Sequence, residues 1–144
     1  MNILPRKITD KAVVENLIPQ KAPFVMVDSL HAFSSEMITA GLTVTADNLF
    51  TDNNNFQESG IIEHMAQSVA LHTGYDFFLK EEHAPTGYIG AIKKITIEEL
   101  PKVGDTLITT VHILQEFMGI TLVSVSTKCN GEVIAIGEMK TALA

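Results

Sequence analysis

"GIIEHMAQSVALHTGY", residues Gly60–Tyr75, decides how the rest of the chain is read. Apolar residues fall on nearly every side of a helix drawn through it, and such a helix has to be covered on most sides. The pattern predicts a helix from about Gly60 to Leu79. At ~1.5 Å per residue it would be about 30 Å long, the width of a small domain. Before it lies "DNLFTDNNNFQES" (Asp47–Ser59), where Asn and Asp side chains compete with backbone ladders and favour a loop. Loops of this length in compact domains are often functional. Ser59 or a close neighbour is the expected cap of the helix. After it, "KEEHAPTG" (Lys80–Gly87) breaks the helical pattern.

Outward from the helix, the chain reads as strands. "PFVMVDSLHAF" (Pro23–Phe33) and "EMITAGLTVTAD" (Glu36–Asp47) are rich in β-branched and aromatic residues, with a turn-like "FSSE" between them, so they are expected to pair as a hairpin. Three more runs follow the helix, Gly87–Leu100, Asp105–Phe117 and Ile120–Leu143. "PKVGD" (Pro101–Asp105) separates the first two, and Asn130-Gly131 within "CNGE" divides the last into a hairpin. At the N-terminus, "TDKAVVENLIP" opens with Thr9 or Asp10 as a cap, spaces Val13, Val14 and Leu17 as a helix does, and closes at Pro19. The order is short helix, two strands, long loop, long helix, four strands. This is an α+β architecture, a long central helix wrapped by an antiparallel sheet of about six strands. It is expected to occupy residues 1–144 as a single domain, as the length suggests.

Composition excludes several classes of function. With 46 % apolar residues the chain is globular, not disordered. A net charge of -7 without any basic run argues against nucleic acid. No stretch approaches the ~20 apolar residues that span a bilayer, and the opening "MNILPRKITDK" lacks a signal-like apolar run, so no membrane and a cytoplasmic location are expected. The lone Cys129 offers neither a disulfide nor a thiolate metal site. His31, His83 and His112 are scattered without metal-ligand spacing, and phosphate-cradling glycine motifs are absent, so no metal is expected.

The one chemically conspicuous group is Glu63. Its helix face carries Gly60, Ala66, Gln67 and Ala70, whose small members leave space before the carboxylate. A carboxylate among apolar residues must be paired, hydrogen-bonded or protonated, and one so placed suits general acid–base work. The bland reading puts Glu63 in the first turn, solvated and favouring the helix dipole. His64 and His72 read by default as structural. His64 points ~100° away from Glu63 on an ideal helix, an unfavourable angle for a shared reaction.

Three blocks resemble one family. "LIPQKAPFVMVDSL" (Leu17–Leu30) is similar to the N-terminal block of the FabZ-type 3-hydroxyacyl-[acyl-carrier-protein] dehydratases. "IIEHMAQSVA" (Ile61–Ala70) resembles their central helix, where the catalytic acid precedes an "MAQ" triplet, and "YIGAIKKITIEELPKVGDTL" (Tyr88–Leu107) resembles the strand-turn-strand that follows. The resemblance implies a hot-dog fold, commonly dimeric, and removal of water from a 3-hydroxyacyl thioester to give the trans-2-enoyl thioester. It implies Glu63 as the catalytic acid and Gln67 as the glutamine of the triplet. It also implies substrate binding through backbone N–H groups at the helix start, at Gly60 and Ile61.

One departure matters. The family's catalytic histidine lies in a Gly-His-Phe-Pro segment before the helix, and this loop has none. The equivalent position is Leu49 or Asn53, depending on the direction of alignment, and Asn53 joins the substrate-binding candidates. Gln20 likewise stands where the N-terminal block commonly has histidine. The pattern is closer to the divergent dehydratase-like subunits of aryl polyene and flexirubin-type pigment clusters, in which a chain lacking the histidine pairs with a second hot-dog protein that has it. The implied partners are an acyl carrier protein and a second hot-dog subunit, in a homodimer or heterodimer. Arg6, Lys7, Lys21, Lys93 and Lys94 are available as a local basic patch for the carrier. No cofactor is implied beyond the phosphopantetheine arm carried by the substrate. A hot-dog thioesterase and a non-catalytic acyl-binding subunit are the alternatives.

Overall fold

The computed structural model describes residues 1–143. Helix α1 is only Lys11–Glu15, with the Asp10 side chain accepting the Ala12 N–H as its cap. Strands β1 (Ser29–Ser34) and β2 (Met37–Thr43) form the expected hairpin around Ser35 and Glu36. Alternation places Ile38, Ala40 and Leu42 on the inner face of β2. The first strand starts six residues later than the sequence suggested. The backbone of Phe24–Met26 is occupied by side chains of the long helix instead of a neighbouring strand.

The Asn-rich loop contains a small hairpin that the sequence did not announce, β3 (Thr51–Asp52) with β4 (Asn55–Phe56). Asn53 and Asn54 turn it with φ of 51° and 66°, the left-handed pair a tight hairpin turn requires and asparagine tolerates. Helix α2 runs Glu58–Leu79, beginning two residues early, with Gln57, a neighbour of Ser59, at the N-cap position but making no side-chain cap hydrogen bond. Two of its glycines permit close approach. A Cβ on Gly60 would overlap Phe50 and Phe56, and one on Gly74 would overlap the Leu17 carbonyl.

Strands β5 (Gly87–Ile97), β6 (Thr106–Phe117), β7 (Ile120–Cys129) and β8 (Glu132–Leu143) complete a six-stranded antiparallel sheet in the order β1-β2-β6-β7-β8-β5. Met118–Gly119 and Asn130–Gly131 turn the last two hairpins, all four with positive φ. The sheet curves around α2 in the hot-dog arrangement. Between the two lie Phe33, Ile38, Leu107, Val111, Val123 and Met139 from the sheet and Ile61, Met65 and Leu71 from the helix, all nearly or fully buried. The cover is incomplete at one side. Strand β5 is an edge, and Ile92 is 47 % exposed although it stands opposite the fully buried Met139 and so points to the helix side of the sheet.

Candidate active site

Glu63 sits in the second turn of α2. The acidic residue of the first turn is Glu58, so the reading of Glu63 as a dipole-compensating cap does not hold. Most of α2 is buried, but Glu63, Ala66, Ala70 and Thr73 form a half-exposed stripe, each spaced three or four residues from the next. That stripe floors a cavity of about 230 Å³ whose other walls include Gln20, Tyr88 and Ile89. The small side chains foreseen in the sequence therefore do leave space in front of the carboxylate.

The carboxylate is held from behind. Gln67 Nε2 donates to Glu63 Oε2 at 2.7 Å and to the Phe24 carbonyl at 2.7 Å, while Gln67 Oε1 accepts the Met26 N–H at 2.6 Å. Gln67 is fully buried, and its donors and acceptor are engaged within the protein. In this geometry it orients Glu63 rather than presenting itself to a ligand. Because Oε2 accepts an N–H from Gln67, Oε1 is the oxygen free to exchange a proton with something in the cavity.

The remaining expected contacts fall elsewhere. The N–H groups of Gly60 and Ile61 are both committed to the Gln57 carbonyl, at 3.0 and 3.1 Å, and the Ile61 side chain is in the core. They are not free donors, since the donors a helix leaves unused precede them, on Glu58 and Ser59. Asn53 is exposed at the tip of the β3–β4 hairpin and does not line the cavity. Gln20, by contrast, was noticed only as a departure in the N-terminal block, and it shares the cavity with Glu63. Its Oε1 is buried without a hydrogen-bond partner.

No histidine of the described residues lines this cavity. His64 is fully buried, its Nδ1 lies 2.7 Å from the Met26 carbonyl, and burial pushes its pKa down to about 4. A ring so enclosed has no path to a substrate held before Glu63. His72 is stacked on Phe33 with Nε2 against the Ser34 carbonyl at 2.8 Å, and burial lowers its pKa as well. His31 is bonded to Ser29 Oγ, while His83 and His112 are exposed. Among the described residues, no cluster of histidine, cysteine and acidic side chains has metal-binding geometry, and no helix is long and apolar enough to cross a membrane.

Comparison with known proteins bears on the family and the fold. The model of the ApeP-like family, described as ApeP dehydratase, matches residues 12–142. The FabZ 3-hydroxyacyl-[acyl-carrier-protein] dehydratase of Vibrio atlanticus (strain LGP32) is 27 % identical over 139 residues, covering 90 % of this chain and 89 % of that one. The FabZ of Ruminiclostridium cellulolyticum (strain ATCC 35319 / DSM 5812 / JCM 6584 / H10) is 26 % identical over 143 residues, covering 94 % of this chain and 97 % of that one. Among solved structures, the dehydratase heterocomplex ApeI:P from Xenorhabdus doucetiae superposes with a TM-score of 0.85 at 19 % identity, covering 91 % of this chain and 90 % of that chain. The PaaI protein of E. coli, from the phenylacetic acid degradation operon, superposes at 0.64 with 12 % identity over 78 % of this chain and 80 % of that chain. At such identities the two structures speak for the fold.

Proposed function

The chain belongs to the ApeP-like dehydratase family, and on that premise we propose that it is the carboxylate-bearing subunit of a dehydratase acting on 3-hydroxyacyl thioesters borne by an acyl carrier protein. The reaction takes a proton from C2 and expels the C3 hydroxyl as water, leaving a trans-2-enoyl thioester. It therefore needs a base at C2 and an acid at C3. Glu63 is the acid. Its Oε1 delivers the proton to the departing hydroxyl while Gln67 holds Oε2. The base is a histidine of a second hot-dog protein. After each turnover the base is protonated and Glu63 ionised, and exchange with water resets both.

The observation that carries this reading is a carboxylate fixed at a cavity that no histidine of this chain's described residues lines. The open side of that cavity supports a partner. Ile89 lines it and Ile92 stands beside it on β5, both 40 % or more exposed, on a sheet edge with free backbone groups. A second hot-dog protein adding its strand there would cover both and bring its own histidine to Glu63. The ApeI:P structure is a dehydratase heterocomplex and by analogy supports pairing with a second protein. The phosphopantetheine arm arrives with the substrate, and the chemistry asks for no other cofactor.

The test is a water-elimination assay on a 3-hydroxyacyl carrier protein, followed by mass spectrometry. The chain is assayed alone and mixed with a histidine-bearing hot-dog protein from the same genomic neighbourhood. Turnover is expected only in the mixture, and Glu63→Gln is expected to lower it by at least ~100-fold. Turnover by the chain alone would overturn the shared site, and release of free acid in place of the enoyl product would replace dehydration with thioester hydrolysis.

A further inference from the structure

His64 follows Glu63 in the chain, never reaches the cavity, and is fully buried. Its Nδ1 is 2.7 Å from the Met26 carbonyl oxygen. A carbonyl only accepts, so Nδ1 carries the hydrogen and Nε2 is the bare nitrogen of a neutral ring. That Nε2 is buried with no partner. An unpartnered buried polar atom is destabilising, and a leucine would fill the same space without it. What the imidazole adds over a leucine is one donor aimed at Met26.

Met26 is bound to the helix at both of its backbone groups. Its carbonyl takes His64 Nδ1–H, and its N–H goes to Gln67 Oε1 at 2.6 Å. The Phe24 carbonyl takes one hydrogen of Gln67 Nε2. The other Nε2 hydrogen is thereby directed at Glu63 Oε2. A side-chain amide can present either its oxygen or its nitrogen to a neighbour. The Met26 N–H at Oε1 and the Phe24 carbonyl at Nε2 together favour the orientation in which the nitrogen end faces the carboxylate. The geometry points to His64 as a positioning residue for Glu63, acting through the Phe24–Met26 segment and Gln67. This assignment rests on the reading of Glu63 as the catalytic acid, but the chain of hydrogen bonds can be tested without turnover.

Two measurements separate the two ideas. The first is nitrogen-15 NMR of the free chain. In the wild type His64 is expected as the Nδ1–H tautomer, and the Gln67 side-chain amide pair, assigned by its loss in Gln67→Leu, is expected to be displaced from the position of solvated glutamines. In His64→Leu that pair moves back toward the solvated position while the rest of the spectrum keeps its dispersion. His64→Asn places a donor near the Nδ1 position and holds the pair near its wild-type position. An Nε2–H tautomer in the wild type, or an unmoved amide pair in a folded His64→Leu, overturns the proposal. An Nε2–H tautomer overturns it even should His64→Leu fail to fold, and His64→Asn then supplies the amide readout.

The second measurement is turnover of a 3-hydroxyacyl carrier protein by the chain assembled with its histidine-bearing partner. His64→Leu is expected to lower kcat roughly tenfold to a hundredfold with KM within about twofold, since it misplaces the acid and leaves the substrate's binding surface alone. His64→Asn recovers most of the loss. In a Gln67→Leu background His64→Leu adds nothing, because both act on the same bond. Losses that multiply would overturn the proposal. Wild-type turnover unaffected by Glu63→Gln would instead overturn the function assigned to Glu63, leaving the NMR result to stand on its own.

Discussion

His64 also sets a pH dependence of stability. Burial holds its folded-state pKa at about 4 against an ordinary 6.5, despite opposing pulls from the Met26 carbonyl and Asp28. Between those values the unfolded chain binds a proton that the folded chain does not. Stability is therefore complete above the unfolded value and declines as pH falls toward the folded one, by up to ~1.4 kcal/mol per pH unit. His72 is shifted in the same direction by the same cause and steepens the decline. Urea midpoints measured from about pH 7 down to about pH 5 are expected to fall for the wild type and to fall less for His64→Leu. Equal slopes would show that the ring binds its second proton in the folded chain as readily as in the unfolded one. Glu63 was legible at this scale because it is the single carboxylate in the apolar run Gly60–Tyr75. The setting of Gln67 was not legible, since its partners lie 41 and 43 residues away and no local pattern encodes them.

Among the elements, legibility followed the strength of the local signal. Helix α2 and strands β5 to β8 were readable because each is long, and the turns between the strands carry Gly104, Gly119, Asn130 and Gly131 at positive φ. The β3–β4 hairpin was missed because two-residue strands have no alternation to detect. The start of β1 was placed too early because Phe24–Met26 has strand-like side chains, yet its backbone bonds go to Gln67 and His64. Strand β5 carries the prediction that belongs here. Ile92 faces the helix side of the sheet and is 47 % exposed in the single chain. Ile92→Lys should leave the chain folded, because an exposed lysine keeps its ammonium in water. Within an assembly through β5 the same ammonium would be desolvated without a counter-charge, a cost that a marginal interface does not survive. Circular dichroism should be unchanged, while light scattering after mixing with the histidine-bearing partner should show separate chains. A complex surviving this substitution would move the interface away from β5.

Over the whole molecule, the curved sheet and α2 leave one Glu63-bearing cavity of about 230 Å³, and the stripe Glu63–Ala66–Ala70–Thr73 gives it a direction along the helix axis. From Glu63 to Ala70 is seven residues, about 10 Å of axial rise. An acyl chain whose C3 is at Glu63 would run past Ala70 only if it were long enough to do so. Ala70→Phe tests that path. The new ring would enter the cavity rather than the core, because Ala70 is half-exposed toward it, so the urea midpoint should barely move. Binding is another matter. Each buried methylene is worth about 0.8 kcal/mol, and displacing about four of them would remove about 3 kcal/mol, on the order of a hundredfold in kcat/KM. With the assembled enzyme, a 3-hydroxyacyl carrier protein of about fourteen carbons should lose that factor, while one of about four carbons, which ends before Ala70, should stay within about threefold. Equal losses for both lengths would mean that the ring disturbs Glu63 itself. No loss for either would mean that the acyl chain leaves the carboxylate by another route, with the partner subunit rather than α2 supplying its floor.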